Sequence, residues 1–262
     1  MRDLMLHKGS VLTERHVIDK MPTPLATDTH HPVPHHRMID LVENGLHQQG
    51  LEIAETSFGI SKDNQRLFGL MRLKGDNEEF GNVVGIRNSH DKKFPAGLCI
   101  GSNVFVCDNL CFSGSVMVTR KHTAKIGVML PGMVFEATAR METRFGEQAK
   151  RINAYKEISL SPVETNDLLV NMAENDSVTW RDIPKILAEF REPRHECFQG
   201  NSLYSFWNAT TEISKGQPLE TLCRRTQSLH ATLDQRAGIP TKSASDPLPA
   251  APSNLANTLE VT

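Results

Sequence analysis

Between residues 51 and 123 the chain alternates in short apolar runs, and from about 129 it changes to a helical period. That switch constrains the fold most. LEIAETSFGIS and RLFGLMRLK flank Lys62-Asp63-Asn64-Gln65, which reads as a hairpin turn. NVVGIRNS and GLCIGSNVFVCDN form a second pair, joined through His90-Asp91-Lys92-Lys93 and a Pro-Gly segment, and SGSVMVTRKH is a fifth run. Consecutive strands with short connections favour an antiparallel meander.

From 129 to 157, Leu130, Val134, Ala137, Met141, Phe145, Gln148, Ile152 and Tyr155 recur every three or four residues, which predicts one amphipathic helix covering the sheet. A helix pair between subunits is the minor alternative for this stripe. Ile39, Val42 and Leu46 place an earlier helix over 36–49, stopped by Gly50. Ser161-Pro162 with Glu164 starts another, running to about Asn175. Three more follow: a short one through Ile183 and Phe190, ended by Pro193, one over 201–216, and one over PLETLCRRTQSLHATLDQR. The expected class is α+β: an antiparallel sheet of about five strands covered by helices, then a helical C-terminal part. Residues 1–35 read as an irregular arm, 36–236 as one α+β domain, and the Pro-rich, small-residue segment 237–262 as a disordered tail.

Length and charge exclude several functions. A net charge of −2 over 262 residues is no polycation, so nucleic-acid binding needs a local basic face. The apolar runs fall short of the roughly 20 residues a membrane span needs, and the opening residues lack a signal-peptide core, so a cytoplasmic location without membrane contact is expected. Five cysteines, an odd count in a chain of this size, argue for buried thiols over disulfides. Cys107 and Cys111 have zinc-like spacing but no second close pair. Six of the eleven histidines lie in 1–36, where prolines hold the chain extended and a solvated loop is favoured over a metal site. No G-x-x-x-x-G-K-[ST] loop or G-x-S-x-G elbow occurs, and no cofactor or resident metal is expected.

Polar residues gather at strand ends in three clusters: Arg87-Asn88-Ser89-His90-Asp91, Cys107-Asp108-Asn109 and Arg120-Lys121-His122-Thr123. As a phosphate-backbone site, Arg87, Arg120, Lys121 and Lys125 supply charge, Asn88 and Asn109 neutral hydrogen bonds, and His90 and His122 further donors, with Asp91 and Asp108 as polar partners. Residues 115–156 hold eight Lys and Arg against three Glu, with few aromatic residues for stacking, so binding without base readout is expected. Read as a metal-dependent nuclease, His90 or His122 is the base and Asp91 or Asp108 holds the metal, but two carboxylates are few for that chemistry. In the structural reading, Asp and Asn cap turns, Arg87 pairs with Asp108, and His122 satisfies a buried carbonyl. If the clusters converge, Arg87, Asp108 and Arg120 share one cleft.

Val33-Pro34-His35 leading into Met38-Ile39-Asp40, then GIRNSHD, VFVCDN, TRKHT and Ser205-Phe206-Trp207-Asn208-Ala209-Thr210-Thr211-Glu212, together resemble the phage/plasmid-like proteins that share a domain of unassigned function. The match covers roughly residues 30–235. It implies a role in phages, plasmids or other mobile elements, and supplies no reaction or catalytic residue. A strand-and-helix plan shared with single-strand annealing proteins is a fold-level analogy. The expected function is non-specific binding of single-stranded DNA in recombination or replication, without hydrolysis. A protein-binding anti-defence or host-modulating factor is the alternative, and a nuclease the second. The partners open to the chain are single-stranded DNA, a host protein and further copies of itself.

Overall fold

The computed structural model describes residues 10–75, 80–104, 109–215, 217 and 219–240; within these, 80, 102–104, 109–116, 219–220 and 222–223 are described by backbone alone. The class is α+β. Six strands run in chain order, each antiparallel to the next: β1 (Ser10–Leu12), β2 (Ile53–Ser61), β3 (Arg66–Leu73), β4 (Phe80–Ser89), β5 (Ala96–Val104) and β6 (Asn109–Arg120). The five expected runs are present. The sixth, β1, comes from the segment read as an irregular arm and pairs with β2 through Ser10↔Ser61 and Leu12↔Gly59. Three residues are too few to show an alternating pattern, so only its pairing reveals it. The expected tail falls almost wholly outside the described residues.

Helix α1 (Arg15–Ile18) precedes α2 (His35–Gln48). The expected single helix over 129–157 is two, α3 (Ile126–Thr138) and α4 (Met141–Lys156), separated at Ala139 and Arg140. The apolar stripe runs through the break, and all eight of its residues are buried. Spacing identifies the buried side chains, but it cannot register a two-residue interruption that keeps the phase. The break divides the stripe between two cores. Leu130, Val134, Met141 and Phe145 join α2 and one face of the sheet, through Leu67, Met71, Val84, Ile86, Leu98 and Val118. Ile152 and Tyr155 belong to a second core built by α5 (Pro162–Glu174), α6 (Ile183–Arg191), α7 (Leu203–Ile213) and α8 (Leu219–Arg236), around Phe206 and Trp207. In this second part α8 packs along β6.

Local chemistry explains several joints. Ser161 caps α5 by accepting from Glu164 N while the Glu164 carboxylate accepts from Ser161 N, with Pro162 at the first helical position. Asn64, at φ 56°, takes the left-handed position in the β2–β3 turn. Gly45 lets α2 approach α3, because a Cβ there would lie 2.9 Å from Thr138. Of the described cysteine side chains, Cys99 is buried as expected, whereas Cys197 is exposed.

The stripe makes a direct stability prediction. Met141 is fully buried, so Met141→Asp should abolish the cooperative unfolding transition, since a buried unpaired carboxylate has nothing to offset its desolvation. Leu130→Ala should lower stability by about 2–5 kcal/mol in a urea melt. Wild-type melting of both variants would show that the stripe is not core.

Candidate functional site

Cross-strand partners share a face of a sheet and successive residues alternate. Arg87 aligns with Phe68 and Gly97, and Gly97 with Thr119. Arg120 aligns with Ala96, and Asn88 with Leu67, both on the face that meets α2 and α3. Arg87 and Arg120 therefore leave the sheet on opposite faces and do not share a cleft. Arg87 lies over the Phe94 ring at 5.5 Å, in space that Gly97 leaves open: a Cβ there would stand 3.0 Å from Arg87 Nε. Asp108 lies outside the described residues, as does the side chain of Asn109.

What converges instead is a buried network centred on Asn88. Its Nδ2 donates to the Val33 carbonyl at 2.7 Å and to His35 Nδ1 at 3.0 Å, and its Oδ1 accepts from His122 Nε2 at 2.8 Å. His90 Nε2 donates to the same Val33 carbonyl at 2.8 Å. His30 Nε2 donates to the His90 carbonyl at 2.9 Å, and His35 Nε2 to the Asn64 carbonyl at 3.2 Å. His35 and His90 stack in parallel with centroids 3.9 Å apart. The His31 amide donates to the His122 carbonyl at 2.8 Å. In each of these contacts Nε2 is the ring nitrogen that faces an oxygen, which makes it the donor. Asn88, His30, His35, His90 and His122 are all buried.

This corrects two expectations. Asn88, His90 and His122 do not face a ligand; they fasten the arm to the ends of β4 and β6. The solvated-loop expectation holds for residues 22–29, which are largely exposed, but not for the His30–His35 end of the arm, where His30, Val33 and His35 are interior. Asp91 serves its own turn: it accepts from Ser89 Oγ at 2.6 Å, Arg66 Nε at 2.6 Å and the Lys93 amide at 3.1 Å. Burial opposes its ionisation, but the bonds from Ser89 and Arg66 outweigh that and its pKa is lowered. Among the described residues, no three His, Cys, Asp or Glu side chains converge as metal ligands. The nuclease reading gains no support from this geometry.

The clamped arm forms one wall of an open groove of about 460 Å³. Pro24, His31 and Pro32 come from the arm, Arg37 and Leu41 from α2, and Ile126 and Pro131 from α3. Arg120, on this side of the sheet, reaches α3 at Met129 Sδ. Lys125 is the N-cap of α3, whose first turn has no side-chain cap, and Lys121 and Lys125 are both exposed. Elsewhere in the basic stretch Arg144 pairs with Glu147, Arg151 with Asp234, and Lys156 lies over Tyr204. Among the described residues, Arg37, Arg120, Lys121 and Lys125 have no carboxylate within ion-pair distance. Sequence reasoning identified the last three and missed Arg37, as well as His30 and His35. The only available signal was the density of His and Pro in His30-His31-Pro32-Val33-Pro34-His35-His36.

The network makes the arm sensitive to acid. Burial, followed by the charge of neighbouring rings, lowers the pKa of His35 to about 3 and that of His122 to about 4, and burial lowers His90 as well. An unfolded chain takes up protons on these rings below about pH 6.5, whereas the folded chain resists until near pH 4 and 3. Their contribution is therefore intact above 6.5 and falls as the pH drops through this window, by about 2 kcal/mol for each of His35 and His122 at pH 5. Urea melts from pH 7.5 to 4.5 test this; a flat profile would contradict it. At neutral pH, Asn88→Ala should cost about 1–3 kcal/mol, because three buried partners lose their bond.

Comparison with family models, curated proteins and solved structures finds no match to this chain. The resemblance to phage/plasmid-like proteins rests on the sequence segments quoted above alone.

Proposed function

We propose that this protein binds single-stranded nucleic acid by its phosphate backbone, in the groove between the arm, α2 and α3, without base readout and without hydrolysis. The observation that carries this reading is a set of cations that have no carboxylate partner among the described residues: Arg37 in the groove lining, and Arg120, Lys121 and Lys125 on the chain leading into the uncapped start of α3, whose Ala124, Ile126 and Gly127 line the same groove. Forked guanidinium donors and lysine point charges suit phosphate oxygens, and a helix N-terminus favours negative charge. The groove lies within the roughly 300–1,000 Å³ of small-ligand sites, which suits one strand rather than a duplex. Its proline and aliphatic walls offer sugars and bases an apolar surface with no pattern of donors to read them. The place of this activity is the recombination or replication of a mobile element, in the cytoplasm; the sequence resemblance supports that part. No helix among the described residues is long and apolar enough to cross a membrane.

A fluorescence titration with a labelled single-stranded oligonucleotide tests the reading. Binding should be tolerant of sequence and weaken with salt, with a log–log slope of about −2 to −3 for three or four neutralised phosphates. Lys125→Ala and Arg37→Ala should each weaken it several-fold. Arg87→Ala, on the far face of the sheet, should change affinity by less than about twofold, as expected for a residue outside the contact. No binding at low salt would defeat the proposal. If nuclease-treated host lysate then yielded one protein on pull-down, the host-modulating role would stand in its place.

A further inference from the structure

Helix α3 has a second apolar side that neither the core nor the groove uses. Ile126, Leu130, Val134 and Ala137 are buried. On the opposite side Val128 is 86% exposed and Phe135 41% exposed. Gly132 stands between Val128 and Phe135, and a Cβ there would meet nothing within 4 Å. Val128, Gly132 and Phe135 follow the i, i+4, i+7 spacing that aligns side chains along one helical face. Single exposed apolar residues are ordinary on a protein surface. A line of them over two turns, with a glycine in the middle, is the shape of a helix contact.

We propose that this face joins two copies of the chain, with α3 packed antiparallel on α3 about a two-fold axis near Pro131 and Gly132. The pairing is self-complementary. With the axis at that point, Val128 of each copy lies opposite Phe135 of the other, and Gly132 lets the two backbones approach. In an antiparallel pair, residues on the same flank of the face oppose one another. Lys125 and Glu136 share a flank, both are exposed, and among the described residues neither has an ion-pair partner. Lys125 of one copy therefore meets Glu136 of the second copy, twice over, and the two helix dipoles oppose. This charge complementarity selects a second copy over a membrane surface, where Glu136 would face anionic headgroups. One helix face is smaller than the roughly 1,200–2,000 Å² of a standard interface, so a reversible dimer is expected, appearing at micromolar concentrations and above. The apolar contact rests on the outer face of α3 alone; Lys125 is shared with the nucleic-acid reading, so the sedimentation test is run without nucleic acid and reads the contact by itself.

Sedimentation velocity on the nuclease-treated full chain, across a wide concentration series, tests it. Wild type should shift from monomer to dimer as concentration rises. Val128→Glu with Phe135→Glu should remain monomeric throughout, and Gly132→Leu should weaken association at least tenfold. All these positions are exposed, so melting temperatures should match wild type and separate lost contact from lost fold. Lys125→Glu and Glu136→Lys should each weaken the dimer, and the two together should restore it. Wild type that stays monomeric at every concentration overturns the proposal, as does a dimer indifferent to Val128→Glu with Phe135→Glu. A charge swap that fails to restore the dimer refutes the antiparallel pairing. Flotation of wild type, but not of the Val128/Phe135 double variant, with phosphatidylcholine–phosphatidylserine vesicles would assign the face to lipid instead.

Discussion

One side-chain amide ties the arm, the start of α2 and the end of β6 to the sheet. Asn88, at the end of β4, spends both its donors and its acceptor on three different segments: the Val33 carbonyl in the arm, His35 at the start of α2 and His122 beyond β6. Its partners lie 55, 53 and 34 residues away in the chain. A buried network of this kind stabilises only when its members are satisfied, because an orphaned polar group in a low-dielectric interior costs more than the bond returns. Here the condition is met almost throughout, with burial lowering the pKa of His35, His90 and His122 and so favouring their neutral forms. His90 Nδ1 is the exception, a buried nitrogen without a partner, placed on a ring stacked against His35. The stack tolerates two neutral rings; two protonated ones at 3.9 Å would repel.

That network separates the inside of the site from its surface. The buried histidines and Asn88 set the position of the arm. The arm closes one side of the groove, and charge is left to Arg37 in its lining and to Arg120, Lys121 and Lys125 on the chain leading into α3. The strand register enforces the division. Arg87 and Asn88 are neighbours in sequence, yet one belongs to the face that carries Phe68 and the other to the face beneath α2 and α3. Changing the register of β4 by one residue would exchange them and break the network. Helix α3 links these levels: its buried stripe joins the core, its first turn meets the groove, and its outer face leaves Val128 and Phe135 exposed.

Much of the architecture was legible because it is periodic. The hairpin at Lys62-Asp63-Asn64-Gln65, the capping box at Ser161 and the stripe from Leu130 to Tyr155 all announce themselves through local spacing, and each is present. The interruption at Ala139 and Arg140 was not legible, because it preserves the phase of the stripe. Nor was β1, whose three residues gain meaning only by pairing with β2. At the site, Asn88, His90 and His122 could be singled out as polar ends of apolar strands. Their interior role could not, because it depends on Val33 and His35 arriving from more than fifty residues away. The convergence of Arg87 with Arg120 failed for a related reason: a position at a strand's end does not say which face its side chain takes until the register is known.

The central claim is that the clamped arm and the start of α3 together form the surface that meets a nucleic-acid strand. Hydrogen–deuterium exchange of the full chain, with and without a saturating single-stranded oligonucleotide, addresses this directly, because it reports where protection appears. The expected result is slowed exchange in peptides covering residues 31–37 and 121–131, with no change around Arg87 and Phe94. Protection confined to the Arg87 face, or an exchange pattern unchanged by the oligonucleotide, would contradict it.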